Sequence, residues 1–401
     1  MTINRIIQKI INKCVPYKII LKHQIAHAQK YPVITNPKEM YSSVFHIKDG
    51  TWELLHMPEL YQMSKPYDVK VFHPRQDILL IPNAQVSSES DIIITDSGVV
   101  WDKFYTDMFS KGYPCDANYV HHTQDAVWCT KSKKIFKIDG YAISMLGVFS
   151  QLWSHFLVQF LPKLFYSEEA GLLKGNNLTI LLPSYKDKQI AELVNGVLSK
   201  YPNVSIVNVD DKATTSYLCS NLYYIPTASA VTNHAYFESI YDSVIPSRVL
   251  DILQNKIKST YVSKINECNI ETHDKLYFIR RTNRIPKNIV EIENFFQEKG
   301  FYFVDLAKLS LVEKVKLLYH AKVIAGPASS AWSNVIFCHS AKAILLNSEN
   351  RVSDSFSKFL MPLGNVETTV VTGWDYKNSI HTDYYIPVEK IQKVYEMMNI
   401  E

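Results

Sequence analysis

The chain has 401 residues, 47% of them hydrophobic, and a formal net charge of +4 at pH 7. At roughly 150 residues per domain that is room for two or three domains with sizeable cores. So mild a charge, with no zinc-finger or RNP-like pattern, argues against nucleic acid as a partner. The cysteines (Cys14, Cys115, Cys129, Cys219, Cys268, Cys338) are scattered without a C-x-x-C pair and read as reduced thiols. No signal peptide is evident, and no apolar run reaches the ~18 residues of a membrane span. The expected location is cytoplasmic, with room for peripheral attachment to the inner face of the cytoplasmic membrane.

The first segment carries Arg5, Lys9 and Lys13 on one helical face and Ile3, Ile6, Ile7, Ile10 and Ile11 on the other. The pattern predicts a basic amphipathic helix within residues 1–30. Residues 1–24 would either lie on an anionic bilayer or pack on the protein itself. Residues 40–140 read as β-rich and irregular, with turn signals at Pro82-Asn83 and Asp96-Ser97-Gly98. A long apolar helix is predicted over 144–166, then a strand at 177–183, a helix at 187–200, strands at 204–209 and 221–225, and a helix over 236–257. Polar residues 258–274 read as a linker. Beyond it, short apolar runs at 276–279, 301–304, 322–325 and 343–346 alternate with helical patterns, the signature of βαβ units on a parallel sheet. A last helix is predicted over 388–399.

The reading is an α/β protein of two Rossmann-like units facing across a cleft, behind the N-terminal helix and a β-rich N-terminal portion. Its parts are the helix at 1–30, a first domain at 31–262, a second domain at 275–386, and a terminal helix at 387–401 able to pack back across the junction. In open α/β sheets, ligands bind outside the carboxyl ends of the strands. There the sequence places Arg280, Arg281 and Arg284 after one strand, and Ser329 and Ser330 after another. Arginine forks and a small-residue turn opening a helix suit an anionic ligand such as a nucleotide diphosphate. Without such a ligand the same residues are surface ion-pairing arginines and an ordinary serine-capped turn.

Three segments resemble a known family. FSQLWSHFLVQFLPKLFY is similar to its "N-x-x-H-F/W-L…LPRL" helix, through His155, Leu161, Pro162 and Leu164. LYFIRRTNRIPKN resembles its "Y-I-S-R…R…N-E" segment, through Arg280 or Arg281, Arg284 and Asn288. VIAGPASSAWSNVIF resembles its "V-x-G-x-H-G-A-G-L-T-N-x-x-F" turn, through Gly326, Pro327, Asn334 and Phe337. Together they look like glycosyltransferase family 61, whose bacterial members are often labelled capsular polysaccharide biosynthesis proteins. The resemblance covers roughly residues 65–350. It implies a GT-B fold, a nucleotide-sugar donor (a UDP-sugar first), inversion at the anomeric carbon, no metal and no other cofactor. The acceptor would be a growing glycan, free or lipid-linked, of a capsule or lipopolysaccharide. The chain departs from the family pattern at Ala328-Ser329 (His-Gly there), Ile279 (Ser) and Ile289 (Glu), and no acidic residue closes AILLN.

On that footing the donor residues are Arg280, Arg281, Arg284, Ala328, Ser329, Ser330 and Asn334. Strand alternation lets only one of Arg280 and Arg281 face the cleft directly. Asn334 either touches ligand or holds the turn. His155, otherwise a core histidine, becomes the candidate general base, or a donor-phosphate contact. Glu168, Glu169 and Asp96 are the carboxylate alternatives. Trp153 is core or a sugar-stacking platform. Asp210-Asp211 lacks the spaced D-x-D form of a metal-binding pair, and adjacent His121 and His122, near Asp125, point to opposite faces of a strand. The competing reading is a glycosyltransferase-like subunit without activity that binds glycan or scaffolds an assembly complex, favoured by the altered Ala328-Ser329 turn.

Overall fold

The computed structural model describes residues 17–101, 116–123, 125–175, 177–184, 188–209, 215–227, 229–231, 243–351, 365–375 and 382–400. Two large sheets dominate it. The C-terminal sheet is six-stranded and wholly parallel. Its order is Tyr302–Val304, Lys275–Phe278, Val323–Pro327, Ala341–Ser348, Val366–Gly373 and Glu59–Leu60. Chain order therefore reverses between Lys275–Phe278 and Val323–Pro327: the second strand goes to one side of the first and the third to the other. Such a switch point opens a crevice at the carboxyl ends of the two strands.

The N-terminal sheet is eight-stranded and mixed. Its parallel part runs Val204–Val209, Leu178–Pro183, Lys134–Ser144, Thr215–Tyr224. Here too order reverses beside the first strand, between Lys134–Ser144 and Thr215–Tyr224. The antiparallel part continues through Gln76–Ser87, Ile92–Thr95 and Gly98–Trp101, with Ser42–Lys48 on the far edge of Gln76–Ser87.

Strand alternation sorts the side chains of both sheets between layers. Leu276, Phe278, Ile324, Leu345 and Val370 from the C-terminal sheet join Ile143, Leu178, Ile180 and Leu182 from the N-terminal sheet in one continuous apolar cluster. The helices between them fill it: Phe156, Leu157, Leu161, Phe165, Leu253, Ile257, Leu311, Val315 and Leu318. On the other side of the C-terminal sheet, Tyr277, Ala325, Ile344 and Leu346 pack with Phe296 of the helix Ile289–Glu298 and Ile391 and Val394 of the helix Val388–Met397. The terminal helix thus lies on the C-terminal sheet.

Several expectations change. Residues 258–274 are not a linker, because the helix Ser247–Glu267 runs through most of them. Leu250, Leu253, Ile257 and Tyr261 make one buried stripe that carries the helix past residue 258. The helix expected over 144–166 begins at Trp153 and passes through a π-helical turn, Phe156–Phe160, before resuming as Leu161–Glu169. Residues 145–152 form a loop instead, at the carboxyl end of Lys134–Ser144. Pro82-Asn83 is no chain reversal: the strand Gln76–Ser87 runs through it, with Asn83 at a φ of 50°. Asp96-Ser97 does turn the chain between Ile92–Thr95 and Gly98–Trp101. The strands Val366–Gly373 and Glu59–Leu60 were not among the expected elements, and the second ties the β-rich region to the C-terminal sheet. The basic face of Arg5, Lys9 and Lys13 lies outside the described residues, the first described helix being Tyr17–His27.

Because the two sheets share one apolar cluster, they should unfold together. Phe156 is fully buried in it, and Phe156→Ala is expected to cost ~3–5 kcal/mol. Far-UV circular dichroism and tryptophan fluorescence should show one coincident transition at a lower temperature; two separated transitions would mean that the sheets melt independently.

Candidate active site

The switch point of the C-terminal sheet opens into a cavity of about 1150 Å3. Arg280, Arg281 and Arg284 line it from the loop after Lys275–Phe278, and Ser329, Ser330 and Asn334 from the turn after Val323–Pro327. His155 and Ala328 do not line it.

The turn is pinned from the inside. The Trp332 indole Nε1–H donates to the Pro327 carbonyl at 3.0 Å. Arg280 Nη1 donates to the Ala328 carbonyl at 3.0 Å. The Trp332 backbone N–H takes the Ser329 carbonyl at 3.1 Å. The Ser333 hydroxyl donates to the Ser330 carbonyl at 2.7 Å, and Asn334 Nδ2 to the Ala331 carbonyl at 2.8 Å. Five consecutive carbonyls thus have donors within the protein. The first N–H groups of the helix Ser330–Phe337 have no intrahelical acceptor, and with the helix dipole they suit an anion. The Ala328 N–H is not among those donors, because the Leu346 carbonyl accepts it at 2.8 Å.

The arginines divide their work. Arg280 joins the two loops: besides the Ala328 carbonyl, it donates to the carbonyls of Thr282 at 3.1 Å and Asn283 at 2.9 Å. Arg281 pairs with Glu293 of the helix Ile289–Glu298. Arg284 is half-buried and holds a left-handed backbone at φ 59°. A non-glycine residue there is strained, a state that clusters at ligand sites.

Asn334 is buried and makes two bonds: its Nδ2 holds the turn, and its Oδ1 accepts Trp153 Nε1–H at 3.0 Å. That second bond links the helix of the N-terminal half to the turn of the C-terminal half. Trp153 is 9% exposed and belongs to the core, though its edge reaches the cavity. Over its ring, at 5.2 Å, sits the Lys314 ammonium, which also donates to Gln189 Oε1. Lys314 lines the cavity while only 4% exposed, and sequence reading missed it. The available signal was its place on the buried stripe Leu311, Lys314, Val315, Leu318 of an amphipathic helix. Asp305, also missed, follows the edge strand Tyr302–Val304, lines the cavity, and caps a short helix by accepting the Ala307 N–H at 3.1 Å. The carboxyl end of that strand is where doubly wound folds place an acid for ribose hydroxyls.

His155 lies beyond the carboxyl end of the first parallel strand of the other sheet. The loop 145–152 leaves the strand Lys134–Ser144 and delivers the chain into the helix that carries it. The His155 ring is half-buried, 5.0 Å from the Phe149 ring, and its Nδ1 lies 2.8 Å from Gln159 Oε1. Burial lowers its pKa from the ordinary 6.5, against the opposing pull of the Gln159 bond. The neutral imidazole, the form that accepts a proton, therefore prevails at neutral pH.

The carboxylate alternatives are occupied elsewhere. Glu168 is bonded to Lys256 at 2.6 Å and to the Tyr201 hydroxyl at 2.7 Å. Burial pushes its pKa up, but those two bonds outweigh it and hold the carboxyl below its usual range. Glu169 lies 3.7 Å from Arg248, and Asp96 accepts a bond from Asn83 in its hairpin. Asp210-Asp211 lie outside the described residues. His122 Nδ1 is 2.6 Å from the Tyr119 hydroxyl, and His121 packs on Trp128. Among the described residues no group of three or more His, Cys, Asp or Glu is placed to hold a metal ion, and no helix is long and apolar enough to cross a membrane.

A cation-lined crevice at the switch point of a parallel sheet, with an amide-rich turn opening a helix, is an α/β arrangement suited to an anionic ligand. Residues 153–345 match the family model Glycosyltransferase 61, a span that starts at Trp153 and contains His155, the arginine loop and the whole turn. By that domain the chain is a glycosyltransferase. No curated protein matches it.

Gly326 sets the approach of the two loops. Its φ is +148°, and a Cβ there would lie 2.7 Å from the Phe278 carbonyl oxygen of the neighbouring strand. Gly326→Ala is expected to cost roughly 1–3 kcal/mol through backbone strain and to displace the turn. Calorimetry should show the lower melting temperature and titration a weaker nucleotide affinity; wild-type values for both would mean that the site tolerates a wider loop spacing.

Proposed function

We propose that this glycosyltransferase moves a sugar, with inversion, from a nucleotide-sugar donor to a growing bacterial surface glycan such as capsule or lipopolysaccharide, in a GT-B-like pairing of two Rossmann-like units. The observation that carries the donor assignment is the turn 327–331, with five carbonyls bonded inward at the mouth of an arginine-lined cavity. The diphosphate would sit against the amides of Ser329, Ser330 and Ala331, facing Arg284 and Lys314. Asp305 would face the ribose. Arg280 shapes the site by holding the Ala328 carbonyl, and Arg281 by anchoring its loop to Glu293.

Chemistry follows from that placement. The acceptor oxygen attacks the anomeric carbon while the bond to the phosphate oxygen breaks, and the electron pair leaves with the nucleotide diphosphate. Arg284, Lys314 and the helix N-terminus stabilise the charge that grows there, as preorganised donors do. This is the task a divalent ion performs in other transferases, so we propose a reaction independent of metal. The hydroxyl proton goes to His155. The acceptor would enter beside Phe149, at the switch point of the N-terminal sheet. A basic segment at residues 1–24 would hold the enzyme near lipid-linked acceptors.

A thermal-shift screen against UDP, GDP, CMP and dTDP and their sugars, with and without EDTA, tests the reading. Stabilisation by one nucleotide, unaffected by EDTA, is expected; stabilisation that EDTA abolishes would refute the metal-free mechanism. Lys314→Met and Arg284→Ala should each reduce donor affinity by about tenfold or more, the scale of a lost charge-assisted hydrogen bond, while the unliganded protein melts near the wild-type temperature. Unchanged affinity in both would remove these cations from the site.

The pH profile has a definite sign. A base must be deprotonated, so activity falls as pH drops through the His155 pKa, which burial keeps under 6.5. The acidic limb of the rate profile should lie under pH 6.5, and His155→Ala should abolish it. An acidic limb that survives in this variant would assign the base elsewhere.

A further inference from the structure

We propose that Gln159 is a positioning residue that fixes the tautomer of His155, an inference that rests on the reading of His155 as the general base. The two side chains meet at 2.8 Å between Nδ1 and Oε1. A glutamine Oε1 only accepts, so the proton of the neutral imidazole sits on Nδ1, and the lone pair is left on Nε2. That is the nitrogen a base presents to an acceptor hydroxyl, taking its proton to become the imidazolium. Gln159 is 8% exposed and sits in the π-helical turn Phe156–Phe160. Such turns are rare and recur at functional sites. Phe149, at a strained φ of 62°, places its ring against His155 from the loop at the strand end. The imidazole is therefore held by an amide from its own helix and by an aromatic ring from the adjoining loop.

Charge does not take over this role. The influences on the His155 titration are burial and the Gln159 bond, and no charged side chain contacts the ring among the described residues. Lys163, about two turns further along the helix, directs its ammonium toward the Phe160 ring at 5.6 Å. A neutral acceptor at Nδ1 fixes the tautomer without raising the pKa as far as a carboxylate would, which leaves the base unprotonated at neutral pH.

The test uses the full chain with 15N-labelled histidine, the His155 signals being assigned by their loss in His155→Ala. The wild type should show the Nδ1–H tautomer. Gln159→Leu should populate both tautomers at an unchanged melting temperature. UDP release from UDP-glucose, UDP-N-acetylglucosamine and UDP-xylose should then slow by on the order of tenfold or more, within the range of acid–base contributions. Gln159→Glu should restore the Nδ1–H tautomer and move both the His155 titration and the acidic limb of hydrolysis to higher pH. The inference is overturned if Gln159→Leu keeps the wild-type tautomer and pH profile, or if Gln159→Glu leaves the titration in place. Wild-type UDP release by His155→Ala is a different failure: it would overturn the base assignment itself, whatever the tautomer.

Discussion

One apolar layer, shared by the two large sheets, fixes everything else. Each sheet turns an aliphatic face toward the other, and the helices Leu161–Glu169, Ser247–Glu267 and Leu311–His320 fill the space between. Neither sheet can shift without opening that layer. Their two switch points, one carrying the arginine loop and the turn, the other followed by the loop and helix that carry Phe149 and His155, are therefore held in register by packing. The bond from Trp153 Nε1 to Asn334 Oδ1 sets that register at the level of single atoms, since it joins the helix of one half to the turn of the other. Both groups are buried, so losing either partner would leave the other unsatisfied, at a cost larger than the bond itself contributes.

The fold was legible where hydrophobic period and length agreed. The four C-terminal strands are short apolar runs bounded by polar residues, and the structure places them within a residue or two of expectation. It was illegible where apolar content had another cause. Residues 145–152 are as apolar as the helix that follows, but Gly147 has no room for a Cβ beside Phe160 and Asp91, and Phe149 needs a positive φ. Those constraints are tertiary, and no period records them. Polar composition misled in the opposite sense at 258–267, where lysines and serines form the solvent face of a helix whose inner stripe ends at Tyr261. Glu59–Leu60 is too short for any pattern and is a strand only because Val366–Gly373 offers it an edge.

At the site, sequence located the loops but not how their side chains are bonded. Arg280 reads as a phosphate ligand, yet in the structure it spends donors on three carbonyls, and this is what shapes the crevice. Lys314 was not singled out from sequence, yet it is 4% exposed above an indole and lines the cavity. The difference is geometric. A strand's alternation predicts which face a residue takes, but not whether its guanidinium meets backbone or ligand.

The altered turn can now be weighed physically. Ala328 and Ser329 stand where the family pattern has His-Gly, a departure that favoured a chain without activity. The Ser329 φ of −157° is extended backbone open to any residue, so the turn does not require glycine there. Ala328 supplies only backbone: its N–H meets the Leu346 carbonyl and its carbonyl meets Arg280. The substitution therefore removes an imidazole and keeps the amide geometry. Ala328 does not line the cavity, which retains Arg284, Lys314 and the open helix N-terminus. The cations and amides that would hold the phosphates of a donor are therefore in place, which favours a catalytic chain over an inert scaffold.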